Sequence, residues 1–216
     1  MNIKNRNMAS SISRENLRTV QRATIDYTWR GINCMKNPFD FALYFKLIWD
    51  LRPGTIIEIG SNKGGSALWL ADMCRTYDMP TKIWSIDIEK VTEVTDEKVT
   101  FLKGDALRLG DVLDPVRLSS MPKPWLVLED SAHLYETSIA VLEFFDAYFQ
   151  PGDYIVVEDG NVDDMGRSEE FHGGPNRAIK EFFGLHPETY ELDTAFCDYW
   201  GHNMTWNTNG FWRRVA

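Results

Sequence analysis

From Thr55 onward, short apolar runs alternate with amphipathic stretches. The runs cover residues 55–59, 82–87, 99–103, 125–129, 154–158, 190–195 and 211–215, and several lack strict alternation between apolar and polar positions. Strands covered by helices on both faces of a parallel sheet read this way. Between them, residues 66–78, 135–149 and 175–183 carry apolar side chains at helical spacing. The alternation predicts an α/β fold with a doubly wound, Rossmann-like sheet, whose ligands lie beyond the carboxyl ends of the strands.

Upstream the periodicity is helical. Leu17, Val20 and Ile25 mark a helix over 13–27 capped by Ser13, while Phe41, Tyr44, Phe45 and Ile48 mark a second over 38–51, stopped by Arg52-Pro53-Gly54. Residues 1–12 are expected to be loose. The chain thus divides into an N-terminal helical segment, 1–53, suited to substrate or oligomer contacts, and an α/β domain, 54–216.

Composition narrows the partners. With 216 residues, 44% hydrophobic and 13% aromatic, the chain builds a full-sized core and is not a disordered sequence. Lys plus Arg is 23 against 32 Asp plus Glu, a net charge of −9 without a long basic block, which argues against nucleic-acid and anionic-membrane binding. Cys34, Cys74 and Cys197 are far apart and share no metal-ligand spacing, so they read as free thiols of a reducing compartment. No apolar run approaches the ~18 residues of a membrane span, and the polar stretch from Met1 to Arg14 has no signal-peptide core. A cytoplasmic enzyme is the expectation, and the aromatic surplus leaves room for a homo-oligomer.

Chemistry concentrates where strands end. Ile56-Ile57-Glu58-Ile59-Gly60-Ser61-Asn62-Lys63-Gly64-Gly65-Ser66-Ala67 reads as a buried strand, a glycine turn able to approach a ligand, and a helix N-terminus. Its spacing, G-x-x-x-G-G, is not the G-x-G-x-x-G of dinucleotide binders. Asp87 ends the next run and is placed to accept both hydroxyls of a ribose. Gly104-Asp105-Ala106 follows the run after that, with Asp105 also suited to cap a helix. Farther on, Leu126-Val127-Leu128-Glu129-Asp130-Ser131-Ala132-His133 and Ile155-Val156-Val157-Glu158-Asp159-Gly160 each discharge an apolar strand into two acids. Strand ends in a parallel sheet lie ~5 Å apart, so four acids converge, a costly arrangement unless a cation balances them. Oxygen ligands of this kind select Mg²⁺.

The E-I-G-x-x-x-G-G-S stretch resembles motif I of class I S-adenosylmethionine-dependent methyltransferases, in the form found in the cephalosporin hydroxylase family and in catechol-type Mg²⁺-dependent small-molecule O-methyltransferases. The resemblance extends over nearly the whole chain, to Gly173-Gly174-Pro175. It implies a seven-stranded sheet with an antiparallel last strand, and an S-adenosylmethionine-binding domain over 54–216. By resemblance Glu58, Gly60, Ser61, Lys63, Gly64, Gly65 and Ser66 surround the methionine part of the cofactor, Asp87 the ribose, and Asp105 and Ala106 the adenine. Asp130, Glu158 and Asp159 are implied as Mg²⁺ ligands, with Asp130 also beside the cofactor. His133 is implied as the general base, imidazole titrating near neutrality. Glu129 departs from the apolar residue usual at its position and stays outside the ligand set.

Acceptor contacts carry the least readable signal. Tyr27, Trp29 and Arg30 lie between the N-terminal helices, His172 lies in a long polar loop over 161–174, and Trp206 flanks a polar segment; these are the substrate candidates. The expected function is Mg²⁺-dependent O-methylation of a small-molecule hydroxyl, on a natural product or a sugar. A non-methylating enzyme of the cephalosporin-hydroxylase type on the same scaffold, a nicotinamide oxidoreductase and a non-catalytic partner subunit are the alternatives.

Overall fold

The computed structural model describes residues 3–91 and 94–216. In chain order it contains α1 (Arg14–Ile25), a hairpin of β1 (Thr28–Trp29) and β2 (Ile32–Asn33), α2 (Pro38–Leu51), β3 (Thr55–Ile59), α3 (Gly65–Thr76), β4 (Lys82–Asp87) and β5 (Val99–Lys103). It continues through α4 (Pro115–Ser119), β6 (Trp125–Glu129), α5 (Tyr135–Asp146), β7 (Tyr154–Val157), α6 (Gly174–Leu185), β8 (Tyr190–Leu192), α7 (Thr194–Cys197) and β9 (Phe211–Arg214).

The main sheet has seven strands in the order β5-β4-β3-β6-β7-β9-β8. Neighbours from β5 to β7 pair in parallel, while β9 runs antiparallel to both β7 and β8. The order reverses at β3 and β6, which open a crevice at their carboxyl ends. Every residue of β3, β6 and β7 is buried, including the acids Glu58 and Glu129, in line with their unbroken apolar character.

α2 begins where Asn37 accepts the N–H groups of Phe39 and Asp40, with Pro38 in the first helical turn, and ends at Arg52 in the left-handed region. Its inner face joins the sheet core. Trp69 of α3, fully buried, meets Phe41, Tyr44 and Phe45 through tilted and edge-on ring contacts. Truncating such a residue costs about 3–5 kcal/mol.

Two local expectations need correction, and one element was not foreseen. Residues 3–12 are docked rather than loose: Ile3 is buried, Arg6 pairs with Asp198, and the Asn203 amide donates to the carbonyl oxygens of Asn7 and Ala9. Met1 and Asn2 lie outside the described residues. The segment after Tyr27 forms a hairpin packed on α3, where a side chain at Gly65 would meet the Asn33 carbonyl oxygen at 2.0 Å. The strand expected over 190–195 stops at Leu192, because Asp193 turns the chain into α7.

Candidate active site

A cavity of about 430 Å³ opens at the carboxyl ends of the central strands, within the range of small-molecule sites. Its floor is the turn after β3, Gly60-Ser61-Asn62, with Ser66 from the start of α3. Gly60 is demanded by close approach. It takes φ +107°, and a Cβ there would lie 1.8 Å from the Asp130 carbonyl oxygen, so only glycine lets the turns after β3 and β6 touch.

Asp87 and Asp105, with Ala106, line one side. The Asp87 carboxylate accepts the N–H groups of Asn62 (2.7 Å) and Glu89 (2.9 Å), which fix its orientation and leave lone pairs facing the cavity. Asp105 accepts the Leu107 N–H at 2.9 Å, so the capping role and a cavity-lining role coexist. Glu58, Lys63, Gly64 and Gly65 do not line the cavity. The Glu58 carboxylate is wholly buried, accepting from Ser85 Oγ at 2.5 Å, and Gly65 answers to the hairpin above it.

Asp130, His133 and Asp159 line the opposite side and bring one donor atom each within 4.8 Å of one another. His133 Nε2 lies 3.3 Å from Asp159 Oδ2, and its Nδ1 lies 4.0 Å from Asp130 Oδ1. His133 and Asp159 both occupy the left-handed region, at φ +58° and +57°. Such backbone costs of order 1 kcal/mol or more and persists where the surroundings impose it. Burial pulls the imidazole pKa down, but Asp159, Asp130 and Glu129 outweigh it and the net shift is upward.

Glu158 lies outside this trio and meets Asp130 through a shared lysine. Its carboxylate takes the Lys36 ammonium at 2.5 Å and the Tyr44 hydroxyl at 2.7 Å, and Lys36 Nζ also lies 2.5 Å from Asp130 Oδ2. Burial raises both the Asp130 and Glu158 carboxyls against the pull of Lys36, with the Asp159 charge raising Asp130 further and the Asp130 charge raising Glu158 further. Burial pulls the Lys36 pKa down, but Asp130, Glu158 and Glu58 outweigh it and the net shift is upward, which holds the ammonium charged. Glu129 is settled too: it is buried, accepts from Ser131 (2.9 Å) and Ser138 (3.0 Å), and takes no place in the trio.

Of the residues expected around an acceptor, Trp206 alone lines the cavity among the described residues. Trp29 donates to Asp72, Arg30 reaches Asp72 and Asp96, Tyr27 is exposed, and His172 pairs with Glu136 on the surface. A second, smaller recess of about 80 Å³ shares Gln21, His133, Asp159 and Trp206 with the main cavity and adds Asn161, Val162, Met165, Arg167 and Phe171. Leu17 of α1 packs against Val162, Met165 and Trp206, so the 161–174 loop is pinned by an apolar cluster. Neither amide atom of Asn161 has a hydrogen-bond partner among the described residues, although the residue is 1% exposed. Lys36, Tyr44, Gln21 and Asn161 are the site residues that sequence reasoning missed. The sole sequence signal was a lysine, uncommon in a buried position, just before a helix cap.

The geometry is matched by likeness to known proteins. Residues 21–215 fit the model of the family described as Rhamnosyl O-methyltransferase/CmcI. A Rhamnosyl O-methyltransferase of Mycobacterium leprae (strain TN) is 30% identical over 188 residues, 85% of this chain and 81% of that protein. One from Mycobacterium tuberculosis (strain ATCC 25618 / H37Rv) is 28% identical over 85% of this chain and 76% of its own. Among solved structures, CmcI with Mg and SAM superposes with a TM-score of 0.67 at 24% identity, covering 89% of this chain and 78% of that one. CalS11, a TDP-rhamnose 3'-O-methyltransferase, superposes at 0.56 and 17% identity, covering 98% and 89%. These two likenesses carry the fold.

Proposed function

Because the chain belongs to the Rhamnosyl O-methyltransferase/CmcI family, we propose that it transfers the methyl group of S-adenosylmethionine to a hydroxyl of a small molecule with Mg²⁺ bound, and that this hydroxyl belongs to a sugar ring. One observation carries the reading. A ribose-type acid, Asp87, and an ion-type trio, Asp130, His133 and Asp159, face each other across one cavity at the switch point of the sheet. The curated relatives named for rhamnosyl methylation point the acceptor toward a sugar.

The residues present suit both groups. Asp87 accepts the ribose hydroxyls, Asp105 and Ala106 flank the adenine, and the turn at Gly60-Ser61-Asn62 with Ser66 cradles the methionine part. Asp130 and Asp159 supply carboxylate oxygens for a divalent ion, with Glu158 in reserve behind Asp130. Mg²⁺ held there supplies positive charge that lowers the pKa of a nearby hydroxyl and stabilises its alkoxide. The sulfonium of S-adenosylmethionine supplies a methyl group already activated for displacement.

The protein's own part is orientation and proton handling. Asp159 engages the Nε2 side of His133, which leaves Nδ1 to take the hydroxyl proton. Neutralisation of Asp130 and Asp159 removes the fields that raise the His133 pKa, freeing the imidazole to act as a base. The acceptor ring occupies the smaller recess. Its apolar face lies between Trp206 and Phe171, and its hydroxyls satisfy the unpartnered Asn161 amide. Gln21 brings the N-terminal segment into the same recess.

The test is transfer of isotope-labelled methyl from S-adenosylmethionine to a panel of rhamnosides, with Mg²⁺ and with EDTA. A methylated sugar that forms only with the ion supports the proposal. Undiminished activity in EDTA refutes the metal role, and cofactor binding without transfer to any hydroxyl refutes the reaction.

A further inference from the structure

We propose that Lys36 is a built-in counter-ion that occupies a divalent cation's place between Asp130 and Glu158 and swings out when the cation binds. The inference rests on the metal-dependent reading above and concerns how the empty and loaded sites exchange.

Lys36 Nζ lies 2.5 Å from Asp130 Oδ2 and 2.5 Å from Glu158 Oε2. Divalent cations sit about 2.0–2.6 Å from carboxylate oxygens, so an ion shared by these two acids would fall almost on the ammonium. Two cations cannot occupy one point. The arrangement also has an energetic reason. Asp130 and Glu158 are both within reach of one ammonium, and carboxylates crowded together out of water need a cation to balance them. Lys36 supplies that cation from within the chain, since its side chain is 5% exposed and aimed inward.

The lysine is built to leave as well as to stay. It belongs to the four-residue connection over 34–37, whose ends are fixed. The Cys34 N–H donates to the Tyr27 carbonyl at 2.9 Å, and the Asn37 side chain caps α2. A flexible four-carbon stem can therefore move its ammonium while the backbone stays in place. Lys36 also lines the main cavity, which gives the displaced head an open side to enter. Displacement returns Glu158 to the cation, and Tyr44, donating at 2.7 Å, keeps that carboxylate oriented through the exchange.

A lysine that merely stiffens the site and one that competes for it predict opposite changes in ion affinity. Mn²⁺ binding to the full-length protein is followed by electron paramagnetic resonance for the wild type and Lys36→Met. Competition predicts at least about tenfold tighter Mn²⁺ binding in the variant, because no resident charge must be expelled. Equal or weaker binding by a folded variant overturns the inference. In parallel, wild-type lysines are acylated with and without saturating Mg²⁺ and mapped by mass spectrometry. Lys36 acylation should rise with the ion, and an unchanged or lower rate overturns the inference even where the variant does not fold. Failure of the wild type to bind Mn²⁺ or Mg²⁺ at all overturns the metal-dependent reading itself, a result distinct from either of those.

Discussion

Asp87 and Asp105, on the β4–β5 side of the rim, are held by backbone N–H groups: Asp105 within its own turn, Asp87 by Glu89 two residues on and by Asn62 of the glycine turn. Asp130 and Glu158, on the β6–β7 side, are held by one lysine that is 94 and 122 residues away in sequence. The first pair keeps a conventional anchorage beside open cavity. In the second, Glu158 is buried and Asp130 half-buried, and both carry pKa values pushed upward by burial and crowding. Binding a neutral nucleoside asks only for oriented acceptors, whereas holding a cation asks for concentrated negative charge that must be balanced when the cation is absent.

The contrast predicts that the two sides fail separately. Asp130→Asn should lower methyl transfer by about 10³-fold or more, since it removes charge from the ion side, while S-adenosylhomocysteine affinity measured by calorimetry changes by less than about threefold. Asp87→Ala should do the reverse. Losing charge-assisted hydrogen bonds worth about 1.5–3 kcal/mol weakens S-adenosylhomocysteine binding about 10- to 100-fold, with Mn²⁺ affinity unchanged. Parallel loss of both ligands in either variant would erase the distinction.

Another buried acid sharpens it at smaller amplitude. Asp40 accepts from Asn37, from the Thr205 hydroxyl and from the Trp206 N–H, with no ion pair among the described residues, and burial raises its pKa to about 7. The folded state therefore binds this proton more tightly than the unfolded chain, whose Asp titrates near 4. Its contribution to stability is present below that value and is lost as pH rises toward about 7. Asp40→Asn should flatten the fall in stability across that window, by a few kcal/mol at most. A denaturation series in which the variant keeps the wild-type slope would show that Asp40 is not its source.

Legibility in the sequence follows the same division. The seven strands and the turn at Gly60 were readable because each signal is local: an apolar run, then a glycine, then a cap. Asp87, Asp105, Asp130, His133 and Asp159 were placed on the cavity for the same reason, each standing at or just past the end of a run. Lys36 and Tyr44 were not readable, since their partner Glu158 becomes a neighbour only through the fold. The hairpin over 28–33 is two residues on each side, too short for any periodicity, and it carries Trp29 and Arg30 to Asp72 of α3 and away from the cavity. Gly65 shows a motif glycine with a second master: its missing side chain makes room for the Asn33 carbonyl.

The most direct test is a crystal structure of the protein grown with S-adenosylhomocysteine and Mg²⁺. The account predicts ribose hydroxyls on Asp87, adenine beside Asp105 and Ala106, and an ion touching Asp130, Asp159 and Glu158 with the Lys36 ammonium displaced. An ion bound elsewhere, or a nucleoside outside the cavity rimmed by Gly60 and Asp87, would contradict it.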